Sequence, residues 1–153
     1  MQIYQRGSTA VASDSIARTL DRWRMYNYSD GAVTVTQDTN APSATAFTKS
    51  LKIDVTTADS SIGADEVAFI QQRFEGQDLQ NFLKGTSSAK KGTLQFWVSS
   101  PKTGTHIVEW YDTDNSRQIS KTYTISSANT WEFKTITFDA NTTGTWNNDN
   151  LQS

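Results

Sequence analysis

Ser50-Leu51-Lys52-Ile53-Asp54-Val55-Thr56 alternates apolar and polar side chains at period two. A helix would scatter Leu51, Ile53 and Val55 around its cylinder, whereas a strand puts them on one face and Lys52 and Asp54 on the other. Segments of this kind recur at a spacing of roughly ten residues between turn signals, with almost no helical periodicity, which is the signature of an antiparallel β-sandwich. Leu20 to Tyr28 reads as the first strand, and Ser29-Asp30-Gly31 follows as a turn. Ala32 to Gln37 then reads as its hairpin partner, with Val33 and Val35 facing inward. Asp38 to Ser43 is a loop, because Pro42 lacks an amide donor.

Beyond the strand at 50–56, Glu66 to Phe74 is again extended. Gln71 to Phe82 continues as an amphipathic connection that packs Phe74, Leu79 and Phe82 against a sheet, with a single helical turn over Asp78 to Leu83. The polar loop Lys84 to Gly92 leads into Thr93 to Ser100, whose Leu94, Phe96 and Val98 face inward. Thr105 to Tyr111 forms the next strand, and Asp112 to Ser116 closes it as a turn. Arg117 to Ile125 and Thr130 to Phe138 are the last two strands. Residues 5–19 are small and polar with few large apolar side chains, so the first 18 residues read as a docking arm or lead-in loop that orders on assembly.

Length and composition bound the functional classes. A chain of 153 residues supports one core, so residues 19–153 are expected to form a single sandwich. Net charge is −2 with both signs scattered, which offers no electrostatic footprint for a nucleic acid. No apolar run approaches the ~20 residues that span a bilayer, so no membrane insertion is expected. Met1 to Arg6 lacks the basic-then-apolar layout of a secretion signal. The absence of cysteine removes disulfides and thiolate metal sites.

Several stretches, in order, carry a resemblance: Tyr4-Gln5-Arg6-Gly7, Asp21-Arg22-Trp23, Gln72 to Gly76, the Gly85 to Lys90 loop before Leu94 to Val98, Tyr123 to Glu132, and Gly144 to Asp149. Together they resemble the jelly-roll modules of tailed-bacteriophage fibre and virion-appendage proteins, especially of marine phages, which are similar in shape to carbohydrate-binding and galactose-binding modules. The resemblance spans nearly the whole chain. It implies an antiparallel jelly-roll β-sandwich in a tail fibre, capsid fibre or capsid decoration, located in the virion. The implied partners are other virion proteins, sister subunits (a homotrimer above all) and a host-surface polysaccharide. In that family further strands follow the Trp-Asn-Asn-Asp segment, so the sandwich is expected to be incomplete at its C-terminus. Either the chain is a fragment or a neighbouring subunit covers the edge.

The resemblance brings no catalytic residue, and the side chains themselves point to no enzyme and no cofactor. His106 is the only histidine, and it sits within a strand with no nucleophile-elbow motif in the chain. Asp112-Thr113-Asp114-Asn115 offers oxygen ligands, yet Arg117 and Tyr123 stand where a calcium-binding EF-hand loop carries glycine and glutamate. A hairpin turn is the expected reading, and a calcium ion shared between distant loops would leave no local motif. The carboxylate pairs Glu66 with Glu75 and Glu109 with Asp112 keep a glycoside hydrolase or lyase as a minor alternative.

Aromatic residues give the binding signal, because sugar rings stack their apolar faces on indole and phenol rings. Alternation puts Gln95 and Trp97 on the face opposite Leu94, Phe96 and Val98. Trp97, Gln95, Trp110, Gln71 and Arg73 are the expected glycan or subunit contacts, and burial of Trp97 under the Asp78 to Leu83 connection or against a neighbouring subunit is favoured over a sugar platform. Trp110 and Tyr111 point to opposite faces, so at most one of them joins such a surface. Trp23 and Trp131 are assigned to the core or its margin. A free-standing carbohydrate-binding module is the competing class, and it predicts a monomer with glycan affinity.

Overall fold

The computed structural model describes residue 5 and residues 7–43 and 45–147. The Tyr4-Gln5-Arg6-Gly7 and Asn148-Asp149 parts of the motifs above lie wholly or partly outside those residues. Among the described residues the protein is all-β with antiparallel sheets and one short 3-10 helix. Its strands are β1 (Thr9–Val11), β2 (Ser15–Arg18), β3 (Trp23–Tyr28), β4 (Ala32–Asp38), β5 (Ser50–Thr57), β6 (Val67–Gln72), β7 (Gly92–Val98), β8 (Gly104–Asp112), β9 (Arg117–Ile125) and β10 (Glu132–Phe138). The chain divides into two compact units, Met1–Arg73 and Phe74–Ser153, where a single sandwich was expected.

The first unit contains two three-stranded sheets, ordered β1-β4-β5 and β2-β3-β6. Val11, Val33 and Val35 from one sheet meet Met25 from the other and Leu20 from the preceding turn. Ala17, Trp23, Leu51 and Ile70 pack around this cluster, so Trp23 sits at the core margin as expected. Val33 and Val35 face inward, also as expected.

Residues 9–18 are not an arm in this fold. They form β1 and β2, which pair with β4 and β3, and Val11 is almost fully buried. Few apolar residues suffice here because the two short strands borrow a core from the strands they pair with. The expected hairpin across Ser29-Asp30-Gly31 is absent for a connected reason. β3 lies between β2 and β6 while β4 lies between β1 and β5, so the 29–31 turn carries the chain from one sheet to the other. The β1–β2 turn makes the opposite crossing. Asn27, 1% exposed, ties the two crossings together by donating from Nδ2 to the Ala12 carbonyl at 2.9 Å and the Gly31 carbonyl at 2.8 Å. One neutral amide thus serves two corner carbonyls, of which that of Ala12 also accepts from Ser15 Oγ at 2.7 Å.

On β5 the register sets Ile53 opposite Val35 and Val55 opposite Val33, so the alternation was legible. Burial was not: Ile53 and Val55 are 40% and 65% exposed, because β5 is an edge strand of its sheet and the core cluster reaches only Leu51 on it.

The second unit contains the ribbon β7–β10 and the hairpin β8–β9. Leu94, Phe96 and Val98 share a face with Ile136, Lys134 and Glu132, and Phe96 meets Tyr123 of β9 edge-on at 5.1 Å. Glu132 accepts the Ser126 and Ser127 amides and the Lys134 ammonium. The Lys134 bond, followed by the Ser127 amide, holds its carboxyl below the usual value. The 3-10 turn Gly76–Phe82 takes the place of the expected helical turn and buries Leu79. Phe74 was expected to pack beside it but is exposed. No helix among the described residues is long and apolar enough to cross a membrane.

Candidate functional site

Alternation along β7 and β10 decides what their outer face carries. Ile136, Phe138 and Gly92 are buried, so Thr93, Gln95 and Trp97 stand on the other side, opposite Thr137, Thr135 and Phe133. The Trp97 and Phe133 rings lie 5.3 Å apart with their planes tilted by 48°. Phe133 is 49% exposed and Trp97 is half-buried. Gln95 Nε2 donates to Thr135 Oγ1 at 3.4 Å, and the Thr93 and Thr137 hydroxyls are 3.3 Å apart. The result is a strip of aromatic surface continued by an amide and hydroxyls, the combination that stacks on a pyranose and hydrogen-bonds its hydroxyl groups.

Trp110 belongs to a different place. It stands on the inner face of β8, edge-on to Phe82 at 5.5 Å and to Phe138 at 5.5 Å, and stacks against Trp146 at 6.1 Å. These rings line a cavity of about 260 Å³ together with Lys84, Asp112 and Arg117. Gly92 is required there, since a Cβ would overlap the Trp110 ring. Lys84 and Asp112 form a buried ion pair, their side chains 5% and 8% exposed. Asp112 also accepts from the Asn115 backbone amide and side-chain amide, and the Lys84 ammonium lies 5.4 Å from the Trp146 ring centroid. The 112–116 segment is thus a hairpin turn whose first carboxylate is held by a lysine and an asparagine. Its second, Asp114, accepts the Asn147 amide at 2.9 Å. Among the described residues no cluster of three His, Cys, Asp or Glu is placed to hold a metal ion.

Gln71 and Arg73 fall in the first unit, on and just beyond β6. Gln71 pairs with Arg24 across the strands, and Arg73 donates to the Tyr26 hydroxyl at 3.0 Å. Of the five expected contacts, Trp97 and Gln95 share the outer face of β7, Trp110 stands on the inner face of β8, and Gln71 and Arg73 belong to the first unit. His106 stacks on Tyr123 at 5.4 Å, and burial pushes the Tyr123 hydroxyl above its usual pKa. Glu66 and Glu75 lie in different units, while Glu109 and Asp112 point to opposite faces of β8.

Phe133 escaped the sequence reading although its parity opposite Ile136 and Phe138 marks it as outward. Lys84 and Trp146 carried no comparable signal, because both meet Asp112 and Trp110 only through the folded path of the chain. Comparison with protein-family models, with curated proteins and with solved structures found no match to this chain. Fold and surfaces therefore define a class no narrower than an antiparallel β protein with exposed aromatic sheet faces.

Proposed function

We propose that this chain is a jelly-roll β module of a bacteriophage virion, in a tail fibre, capsid fibre or capsid decoration, that adheres to host-surface glycan through the outer face of β7 and β10. The observation that carries the adhesive part is the solvent-facing Trp97–Phe133 pair beside Gln95. An aromatic pair of this kind on the outward face of a strand ribbon offers a sugar ring its apolar contact, and the neighbouring amide and threonines offer directional bonds. Jelly-roll wiring is supported by the two sheet-to-sheet crossings at 12–14 and 29–31. The virion assignment is supported by the ordered motif resemblance, and self-association with sister subunits, as a homotrimer, follows from it.

Two measurements test the proposal. Host-surface polysaccharides screened against the full chain by affinity electrophoresis should give a ligand whose binding weakens about 30-fold in Trp97→Ala, the ~2 kcal/mol scale of a central aromatic contact. Light scattering coupled to size-exclusion chromatography should give a discrete oligomer. Glycan binding by a monomer would favour the free-standing carbohydrate-binding module, and a ligand indifferent to Trp97→Ala and Phe133→Ala would overturn the proposed face.

A further inference from the structure

The outer face of the β2-β3-β6 sheet has a chemistry unlike that of β7 and β10. Because Met25 and Asn27 are buried, Arg24, Tyr26 and Tyr28 stand outward on β3. Register then sets Arg18 opposite Arg24 and Ile16 opposite Tyr26 on one side. On the other it sets Gln71 opposite Arg24, Phe69 opposite Tyr26 and Val67 opposite Tyr28. Tyr26 and Phe69 stack at 4.7 Å with an angle of 11° between their planes. Arg24 Nη1 and Arg73 Nη2 each donate to the Tyr26 hydroxyl oxygen at 3.0 Å.

Two features of this face call for an anion. Directly opposed like charges destabilise an antiparallel pair, yet Arg18 and Arg24 occupy such a position. No Asp or Glu stands at any outward position of the three strands, in a chain whose net charge is −2. The oxygen to which Arg24 donates belongs to a phenol, which is neutral at pH 7 and supplies no negative charge. The field is felt there: burial alone would raise the Tyr26 pKa, but the two arginines outweigh it and bring it below the usual value. Beside the cations lie Phe69 and Tyr28, 45% and 41% exposed.

We infer that this face binds an acidic polysaccharide, with the guanidinium groups of Arg18 and Arg24 on the ring carboxylates and Phe69 and Tyr28 against the apolar faces of the sugar rings. Guanidinium matches carboxylate in a planar two-bond geometry, so uronate residues fit better than isolated point charges. A nucleic acid is disfavoured because a chain with net negative charge and one short row of arginines lacks the long basic groove that tracks a phosphate backbone. The inference rests on the glycan-binding reading above but on none of its residues.

Calorimetric titration of the full chain tests it, with a defined oligogalacturonate, its carboxyl-reduced neutral counterpart and a thymidine oligonucleotide of matched charge as probes. The oligogalacturonate should bind with an affinity that falls as salt rises, and the neutral counterpart should bind about tenfold more weakly or worse, the loss expected when charge-assisted bonds are removed. Arg18→Gln, at an exposed side chain that leaves the Tyr26 bonds intact, should weaken oligogalacturonate and flatten the salt dependence, and Arg24→Gln should do so further. Phe69→Ala should weaken it without changing the salt slope, while Trp97→Ala should leave it unchanged. Equal binding of the neutral sugar, oligonucleotide binding as tight as the uronate, or indifference to Arg18→Gln and Arg24→Gln would each overturn the inference. Uronate binding lost in Trp97→Ala but not in Arg24→Gln would overturn it while sustaining the β7–β10 site, whereas uronate binding lost in Arg24→Gln but not in Trp97→Ala would sustain it and leave the β7–β10 site to stand or fall by the polysaccharide screen above.

Discussion

The two units reach the same all-β class with different interiors. In Met1–Arg73 the core is valine, leucine and methionine, and its polar knot is Asn27, a neutral amide that serves two corner carbonyls. In Phe74–Ser153 the interior around Trp110 is aromatic, and its polar knot is the charged pair Lys84–Asp112. The neutral knot sits where the chain crosses between sheets and backbone groups leave the ladder. The charged knot sits where a lysine from the loop after the 3-10 turn meets the end of β8. An amide satisfies its surroundings without carrying net charge, whereas each member of an ion pair is tolerable in the interior only while the other is present. The second unit is therefore expected to be the more sensitive to loss of one side chain, and the less sensitive to replacement of both.

The largest effect should come from Asp112→Ala, which leaves the Lys84 ammonium buried and unpaired. A loss of about 3–5 kcal/mol is expected, read from the urea midpoint, while Lys84→Met combined with Asp112→Asn should lose far less. If the single and double variants were equally destabilised, the pair would be no more than a packing contact and the contrast between the units would fail. Asn27→Ala should cost less, about 1–3 kcal/mol, because it takes the side-chain donor from the Gly31 carbonyl, leaves the Ala12 carbonyl its bond from Ser15 Oγ, and creates no charge. Hydrogen exchange should then quicken at the 12–14 and 29–31 crossings first. A cost above that of Asp112→Ala would invert the ranking and make the crossings the more critical feature.

The smallest effect concerns the tyrosines, which the two units shift in opposite directions from the ordinary phenol value. Tyr26, where the effect of burial is outweighed by Arg24 and Arg73, is depressed. It contributes stability that is present above the unfolded value and is lost as pH falls through its folded value. Tyr123, raised by burial, contributes stability that is present below the unfolded value and is lost as pH rises through its folded value. Followed by the ultraviolet tyrosinate band, Tyr26 should ionise before Tyr123. Tyr26→Phe should remove an early step and Tyr123→Phe a late one. The opposite order would mean that the two arginines do not act on the Tyr26 oxygen as their geometry requires.

Much of the secondary structure was legible locally. Arg117–Ile125 has the expected bounds, and the strands at Ala32, Ser50, Gly92 and Gly104 differ from expectation by a residue or two. Face assignment was legible as well, since period two is a property of the strand itself: Val33 and Val35 lie in and Trp97 lies out. Local pattern failed at residues 9–18, where two weak strands form because β4 and β3 supply partners and a core. That error propagated to the Ser29-Asp30-Gly31 turn, because β3 and β4 cannot pair with each other once β1 and β2 occupy the positions beside them. Of the candidate contacts, Trp97 and Gln95 were found by parity, while the company of Trp110 and Arg73 was not.

Composition and alternation by themselves determined an all-β chain, the placement of most of its strands and which residues of a strand share a face, because these depend on backbone geometry over a few residues. Only the tertiary structure decided which strands pair, that the chain forms two units, that Lys84 meets Asp112 under Trp146, and that Arg18, Arg24 and Arg73 gather beside Tyr26 and Phe69. Those outcomes depend on contacts between distant residues, and the free energy of such contacts is set by the competition among possible partners, which no short window of sequence contains.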